Sequence, residues 1–279
     1  MTTEPLTIRA SIPAPVERVS RALTDPDDLR VWLAEHVEVA LPERFAFWGR
    51  TTPEGDAPHQ RLLHADERTV RFAWLLDGEE TTSELSVEAD GDDRTILTLS
   101  QTHFDFQDVI TGKSIRGVLE TYWSQVLTNL AEHLEGRTLT PMQDYTSADM
   151  RVEVEIDAPA SKVFHAITDS EAVTRWFGYK IEIEPYEGGR FAMGGFDNNP
   201  APAKVLEVVP DQKLAVDWGD VGVGTWELAG SGGKTRLTLV QSGFDQANPP
   251  YAGWGGFLSG VAELRRYLEM PDWKPVIMA

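Results

Sequence analysis

The sequence predicts an α+β protein made of two tandem copies of one domain, each a curved antiparallel sheet wrapped around a long C-terminal helix. Two observations carry this. "ALTDPDDLRVWL" from Ala22 returns as "AITDSEAVTRWF" from Ala166, and each copy presents the same order of strand, two short helices, alternating strands and one long apolar-striped helix. Setting Ile8 against Val152 gives a gapless shift of 144 as far as Trp32 and Trp176, with eight identities between Ile12/Ile156 and the tryptophans. A second block, "TILTLSQTHFD" from Thr95 and "TRLTLVQSGFD" from Thr235, matches at seven of eleven positions with a shift of 140. Two ordered matches at that separation mark a duplicated whole domain, because solenoid units repeat every 20 to 50 residues.

The elements follow in order. "VEVEI" from Val152 alternates apolar and charged residues, the period of a strand with one wet face, and "TIRASI" opens the first copy in the same way. Pro15 and Pro159 stand where a first helical turn tolerates a missing N–H, with Val16, Val19 and Leu23, or Val163 and Ile167, following at helical spacing. Asp25 and Asp169 are cap candidates for a second short helix ending near Trp32 or Trp176. Strands come next: "RFAFWG", "TVRFAW" and "TILTLS" in the first copy, "RFAMGG", "KLAVDW", "TWEL" and "RLTLV" in the second, separated by Gly, Pro and Asp turns. Each copy closes on a helix with apolar residues at i, i+4, i+7 spacing, through Trp123, Leu127, Leu130 and Leu134 or Trp254, Leu258, Val261, Leu264 and Leu268. Gly136 and Pro141 end the first copy, which places domain 1 at 1–140, a linker at 141–150 and domain 2 at 151–279.

Composition bounds the function. A net charge of −20 argues against DNA, RNA or an anionic membrane surface, which would repel the chain at moderate salt. With no cysteine there is neither a disulfide framework nor a thiolate nucleophile, and no pair of histidines has zinc-motif spacing, so neither a metal nor a cofactor is expected. The N-terminal stretch lacks a secretory pattern and no run of eighteen apolar residues occurs; the expectation is a cytoplasmic protein, monomeric by default. "GSGGKT" from Gly230 imitates a phosphate loop, but Leu228 stands where that motif needs glycine and a strand follows where it needs a helix. No G-x-S-x-G elbow is present.

The opening "APxxVxxAxTD…W", the "EGGRF" at Glu187 to Phe191, the "TRLTLxQxGF" strand and the Trp-led final helix resemble the START-like helix-grip (SRPBCC) superfamily, in the branch of the C-terminal domain of the heat-shock-chaperone ATPase activator. The resemblance covers almost the whole chain, twice. It implies a hollow between sheet and helix, and a family that includes lipid carriers, polyketide aromatases and cyclases, chaperone activators and antibiotic-sequestering proteins, some of them associated with enediyne biosynthesis. The first copy departs from the pattern, with "LPERF" at Leu41 to Phe45 and a bulkier "FWG" where the second has "MGG".

A concave sheet lined by aromatic side chains suits a planar apolar ligand. The candidate ligand-binding residues are Trp32, Phe47, Phe72, Trp74, His103 and Trp123 in the first copy, and Trp176, Phe191, Met193, Val216, Trp218, Trp226, Phe244 and Trp254 in the second. Phe191 and Met193 are expected to face the helix together, and Met193 to adapt to an irregular ligand. His103 is the polar candidate at a pocket mouth, replaced by Gly243 in the second copy. No catalytic residue is assigned. The leading expectation is a non-enzymatic binder of a hydrophobic or aromatic small molecule, a polyketide or enediyne-type product for example, for sequestration, carriage or self-resistance. The alternatives are a cyclase or aromatase, and an interaction module like the chaperone activator.

Overall fold

The computed structural model describes residues 5–102 and 115–278, the side chains of 115 and 116 excepted. The chain forms two compact units. One comprises Met1–Ser147, Tyr251–Ser259 and Val276–Ala279; the other comprises Ala148–Pro250 and Gly260–Pro275. Segments 251–259 and 276–279 thus group with the N-terminal unit, where the sequence repeat by itself assigns them to the second copy.

The first unit opens with β1 (Leu6–Ile12), whose alternating burial follows its alternating sequence. Helices α1 (Val16–Ala22) and α2 (Pro26–Trp32) follow. Pro15 is the N-cap of α1, one residue ahead of the first turn where the sequence reading set it. The side chain of Asp25 accepts from the backbone N–H groups of Asp27 and Asp28 at the head of α2, satisfying two of the donors that a helix start leaves orphaned. A hairpin of β2 (His36–Ala40) and β3 (Arg44–Trp48) precedes β4 (Gln60–Ala65), β5 (Thr69–Leu76), β6 (Glu79–Ala89) and β7 (Thr95–Gln101). The long helix α3 (Ile115–Leu134) closes the repeat. The sheet order is β15-β1-β7-β6-β5-β4, all antiparallel, with β15 (Ile277–Met278) added at the β1 edge.

The second unit repeats the plan with β8 (Met150–Ile156), α4 (Ala160–Thr168), α5 (Ser170–Phe177), β9 (Ile181–Ile183), β10 (Arg190–Met193), β11 (Ala203–Val209), β12 (Lys213–Asp217), β13 (Val223–Ser231) and β14 (Lys234–Ser242). The closing helix α6 runs Tyr251–Glu269, of which Gly260 onward belongs to this unit. Here the sheet is continuous, β8-β14-β13-β12-β11-β10-β9, whereas in the first unit the β2–β3 hairpin stands apart. There the side chain of Gln60 replaces ladder bonding, its Oε1 accepting from the Phe47 N–H at 3.1 Å.

The repeated twelve residues now have a physical account. The indole N–H of Trp32 donates to the Ala22 carbonyl at 3.0 Å, and that of Trp176 to the Ala166 carbonyl at 2.8 Å. Each tryptophan therefore fastens the end of the second short helix to the end of the first, satisfying a carbonyl that the helix terminus leaves open. A second pair of identical locks ties the last strand to the turn after the first strand: Thr95 Oγ1 donates to the Ala14 carbonyl at 2.8 Å and Thr235 Oγ1 to the Ala158 carbonyl at 2.7 Å. The conserved spelling between the copies falls on residues that fix helix against helix and strand against turn.

The glycine difference is a turn difference. Between β9 and β10, Gly188 has φ 85°, and a side chain on Gly189 would start 2.2 Å from the Glu184 carbonyl oxygen. Between β2 and β3 the first copy uses a cis Leu41–Pro42 peptide instead.

Candidate functional site

The interiors of the two repeats are filled differently. In the first, five of the six sequence candidates are fully buried: Trp32, Phe47, Phe72, Trp74 and Trp123. Four of them pack directly on one another. Phe47 stands edge-on to Phe72 and Trp74, with centroids 5.6 and 5.3 Å apart, and Trp74 stands edge-on to Trp123 of α3 at 6.1 Å. Two aromatics that the sequence reading passed over complete the cluster: Phe45, 5.3 Å from Phe72, and Tyr122, 5.1 Å from Trp123. Edge-to-face pairs of this kind contribute about 0.5–1.5 kcal/mol each beyond their area burial. Burial pushes the Tyr122 hydroxyl well above the ordinary phenol range. The sixth candidate, His103, lies outside the described residues.

In the second repeat Phe191 of β10 meets Trp218 edge-on at 5.0 Å, interplanar angle 65°. Val216 is fully buried on β12, and Trp226 is buried on β13, where Leu239 is its cross-strand partner. Trp176 and Phe244 are buried too and Trp218 is half-buried; Trp254, in the segment that groups with the N-terminal unit, is buried. Gly260 of α6 admits Trp176: a side chain there would start 3.3 Å from the indole ring. Met193 departs from expectation. It is 42% exposed while Phe191, two residues back on the same strand, is buried, because β10 ends at Met193 and the chain turns away through Gly194 and Gly195 at φ 83° and 85°.

The 3-10 turn Gly219–Val221 joins β12 to β13. Gly222, at φ 88° and ψ −160°, sits in a region open to glycine alone, and a side chain there would start 2.2 Å from the Ser242 carbonyl oxygen. This turn sets the Val221 carbonyl against Gln241 of β14, whose Nε2 donates to it. Gln241 is not among the sequence candidates, although it is one of the seven positions that the two copies of the second repeated block share.

A separate open cleft of about 440 Å³ lies in the first unit, lined by Glu35, His36, Trp48, Arg50, Glu54 and Asp56 among others. None of the sequence candidates lines it. Its floor is ionic: the Arg50 guanidinium donates to Glu35 Oε1 at 2.6 and 2.8 Å and lies 3.7 Å from Asp144. Hydrogen bonds from that guanidinium hold the Glu35 carboxyl below its ordinary range. The His36 ring lies 5.4 Å from that of Trp48. Among the described residues no cluster of His, Asp and Glu could hold a metal ion. No helix among them is long and apolar enough to cross a membrane.

With the geometry in hand, comparison with known proteins places the chain. The model of the family described as "Activator of Hsp90 ATPase homolog 1-like protein" matches twice, at residues 13–135 and 157–269. The chain belongs to this family. Both matches run from the turn after the first strand to the end of the closing helix, so each copy is one family domain and the helix-grip architecture holds in both. Similar solved structures include DynU16, a putative protein in the dynemicin biosynthetic locus (18% identity, TM-score 0.39, 96% of this chain and 98% of that one). The di-domain ARO/CYC BexL from the BE-7585A biosynthetic pathway matches at 16% identity and TM-score 0.37, over 98% of this chain and all of BexL. CalU16 from Micromonospora echinospora matches at 25% identity and TM-score 0.37, over 48% of this chain and 76% of that one. No curated protein matches the chain.

Proposed function

We propose that the chain binds a planar, hydrophobic small molecule and that its second repeat is the binding copy. One observation carries the reading: the unequal filling of two interiors built on one plan. In the first repeat Trp32, Phe45 and Leu85 are 0–1% exposed; their counterparts Trp176, Phe191 and Trp226 in the second keep 8–9%. The largest fully enclosed side chains, Trp32, Trp74 and Trp123 first among them, all belong to the first repeat. An interior whose aromatic rings saturate one another has no face left for a guest, because protein cores are close-packed and do not dilate at small cost. The second repeat carries fewer rings across its sheet, so its aromatic faces are the ones a guest would cover, held by apolar burial and stacking. The first repeat then acts as a filled structural partner. Sequestration or carriage of a natural product is the role this chemistry suits.

Titration with an anilinonaphthalene sulfonate dye, whose emission rises in apolar surroundings, tests the reading. Saturable dye binding that quenches tryptophan emission, with the quench reduced in Trp218→Phe and Trp226→Phe and retained in Trp74→Phe, is the expected result. If the dye and a panel of polycyclic and acyl probes all leave the tryptophan emission unchanged at high micromolar concentration, the reading fails.

A further inference from the structure

Resting on that reading, we propose that Gln241 is the specificity-determining polar group of the second repeat, its side-chain carbonyl oxygen accepting a hydrogen bond from a hydroxyl on an otherwise apolar aromatic ligand. The two repeats supply their own control. Gln241 corresponds to Gln101 at the shift of 140, and the cross-strand partners correspond as well: Ser83 opposite Gln101, Gly224 opposite Gln241. In the first repeat the Gln101 carbonyl oxygen accepts from the Ser83 hydroxyl and, at 3.3 Å, from the Trp123 indole N–H, while its Nε2 donates to Thr81 and to the Thr102 carbonyl. Every polar atom of that buried side chain is satisfied from within.

In the second repeat the serine is a glycine. Gln241 is 4% exposed, and its Nε2 donates to the Val221 carbonyl. That bond also fixes which end of the amide is which, since a carbonyl facing a carbonyl would repel. The remaining oxygen is buried and has no hydrogen-bond donor among the described residues. It points to the buried face of the sheet: a side chain begun at Gly224 would start 3.3 Å from Gln241 Oε1, 3.1 Å from Trp218 Nε1 and 3.3 Å from the Trp226 ring. Burial alternates along β13 so that Gly224, Trp226 and Leu228 share that face. The acceptor therefore sits among the aromatic surfaces assigned above to the ligand, and the serine hydroxyl that caps it in the first repeat has been deleted. A buried acceptor left unmade costs more than a made hydrogen bond contributes, which turns a single oxygen into a discriminator between ligands that bring a donor and ligands that do not.

The probes are 2-naphthol and 2-methylnaphthalene, equal in shape and differing in one hydroxyl, each competed against the bound dye. The native chain is expected to hold 2-naphthol about tenfold more tightly, the ratio expected when a buried acceptor gains or misses its donor. Gln241→Leu is expected to bring the two probes within about twofold of each other, chiefly by tightening 2-methylnaphthalene. Gly224→Ser, which restores the internal donor of the first repeat, is expected to erase the preference as well, and reports independently if the leucine variant does not fold. Equal affinity of the two probes for the native chain overturns the proposal while leaving the binding reading intact, and so does a preference unchanged in Gln241→Leu. Failure of both probes to displace the bound dye also overturns this proposal, whereas the binding reading falls only if the dye itself and the wider probe panel fail to bind.

Discussion

Asp28 shows how single residues hold the first repeat together. Its carboxylate takes two hydrogen bonds from Arg18 of α1, at 2.7 and 2.9 Å, and lies 2.7 Å from His133 Nε2 near the end of α3. One half-buried side chain on α2 thus joins three helices. The Arg18 hydrogen bonds, with a smaller contribution from His133, hold its carboxyl below the ordinary aspartate value against the opposing effect of burial. A carboxyl whose folded pKa is depressed contributes stability that is complete above its unfolded value, near 3.9, and is lost as pH falls through the lower folded value. Asp28→Asn is therefore expected to destabilise the chain by about 1–2 kcal/mol at pH 7, the upper end tempered by the exposure of Arg18. In urea melts the gap between native and variant should stay level from pH 8 to about pH 5 and close below about pH 4. A gap of constant size down to pH 2.5 would mean that the carboxylate's charge plays no part.

At the scale of elements, the face of the second repeat proposed to bind a ligand depends on how β12 passes to β13. The 3-10 turn between them carries Val221, whose carbonyl orients Gln241, and is closed by Gly222, whose N–H donates to Gly219 and whose carbonyl accepts from Trp218 N–H. Gly222→Ala must both leave a glycine-only conformation and clear the Ser242 carbonyl, so a loss of about 2–4 kcal/mol is expected, with weaker dye binding from displacement of Trp218 and Gln241. Native-like dye affinity in a folded Gly222→Ala chain would show that the turn does not position the site. This is also where sequence and structure part company. Strand alternation, the proline-led helices and the aspartate caps were legible because each follows from local periodicity or one side chain bonding its neighbours. The tryptophan locks were visible as repeated letters, but their carbonyl partners ten residues away were not. The aromatic candidates were found as residue types. Which of them saturate one another depends on distances across the sheet that no local pattern encodes, and the exposure of Met193 follows from where a four-residue strand stops. Gln241 escaped notice because its meaning lies in an absence on the neighbouring strand: only the register that sets Gly224 opposite it shows that a donor has gone.

For the whole molecule, duplication followed by unequal filling predicts a stoichiometry. Two open copies of one hollow domain would take two ligands, with affinities as similar as their linings. Here the first copy has Trp74, Phe47 and Trp123 packed against one another where a guest would sit, and its core glutamine is bonded from within. Admitting a ligand there would mean separating ring contacts and breaking the internal hydrogen bonds of Gln101, at a cost that apolar burial of a small guest does not offset. Calorimetric titration with a tight-binding polycyclic phenol is therefore expected to give one site per chain. At a free ligand concentration a hundredfold above Kd the native state should gain about 2.7 kcal/mol, the increment for a single site, and about twice that would require a second equivalent one. Two equal sites would place the guest in both repeats and remove the division of labour, leaving the glycine opposite Gln241 as a difference without a function. A single site that survives in Gln241→Leu with its hydroxyl preference gone would fix the site in the second copy and show that the first was retained as a packed partner.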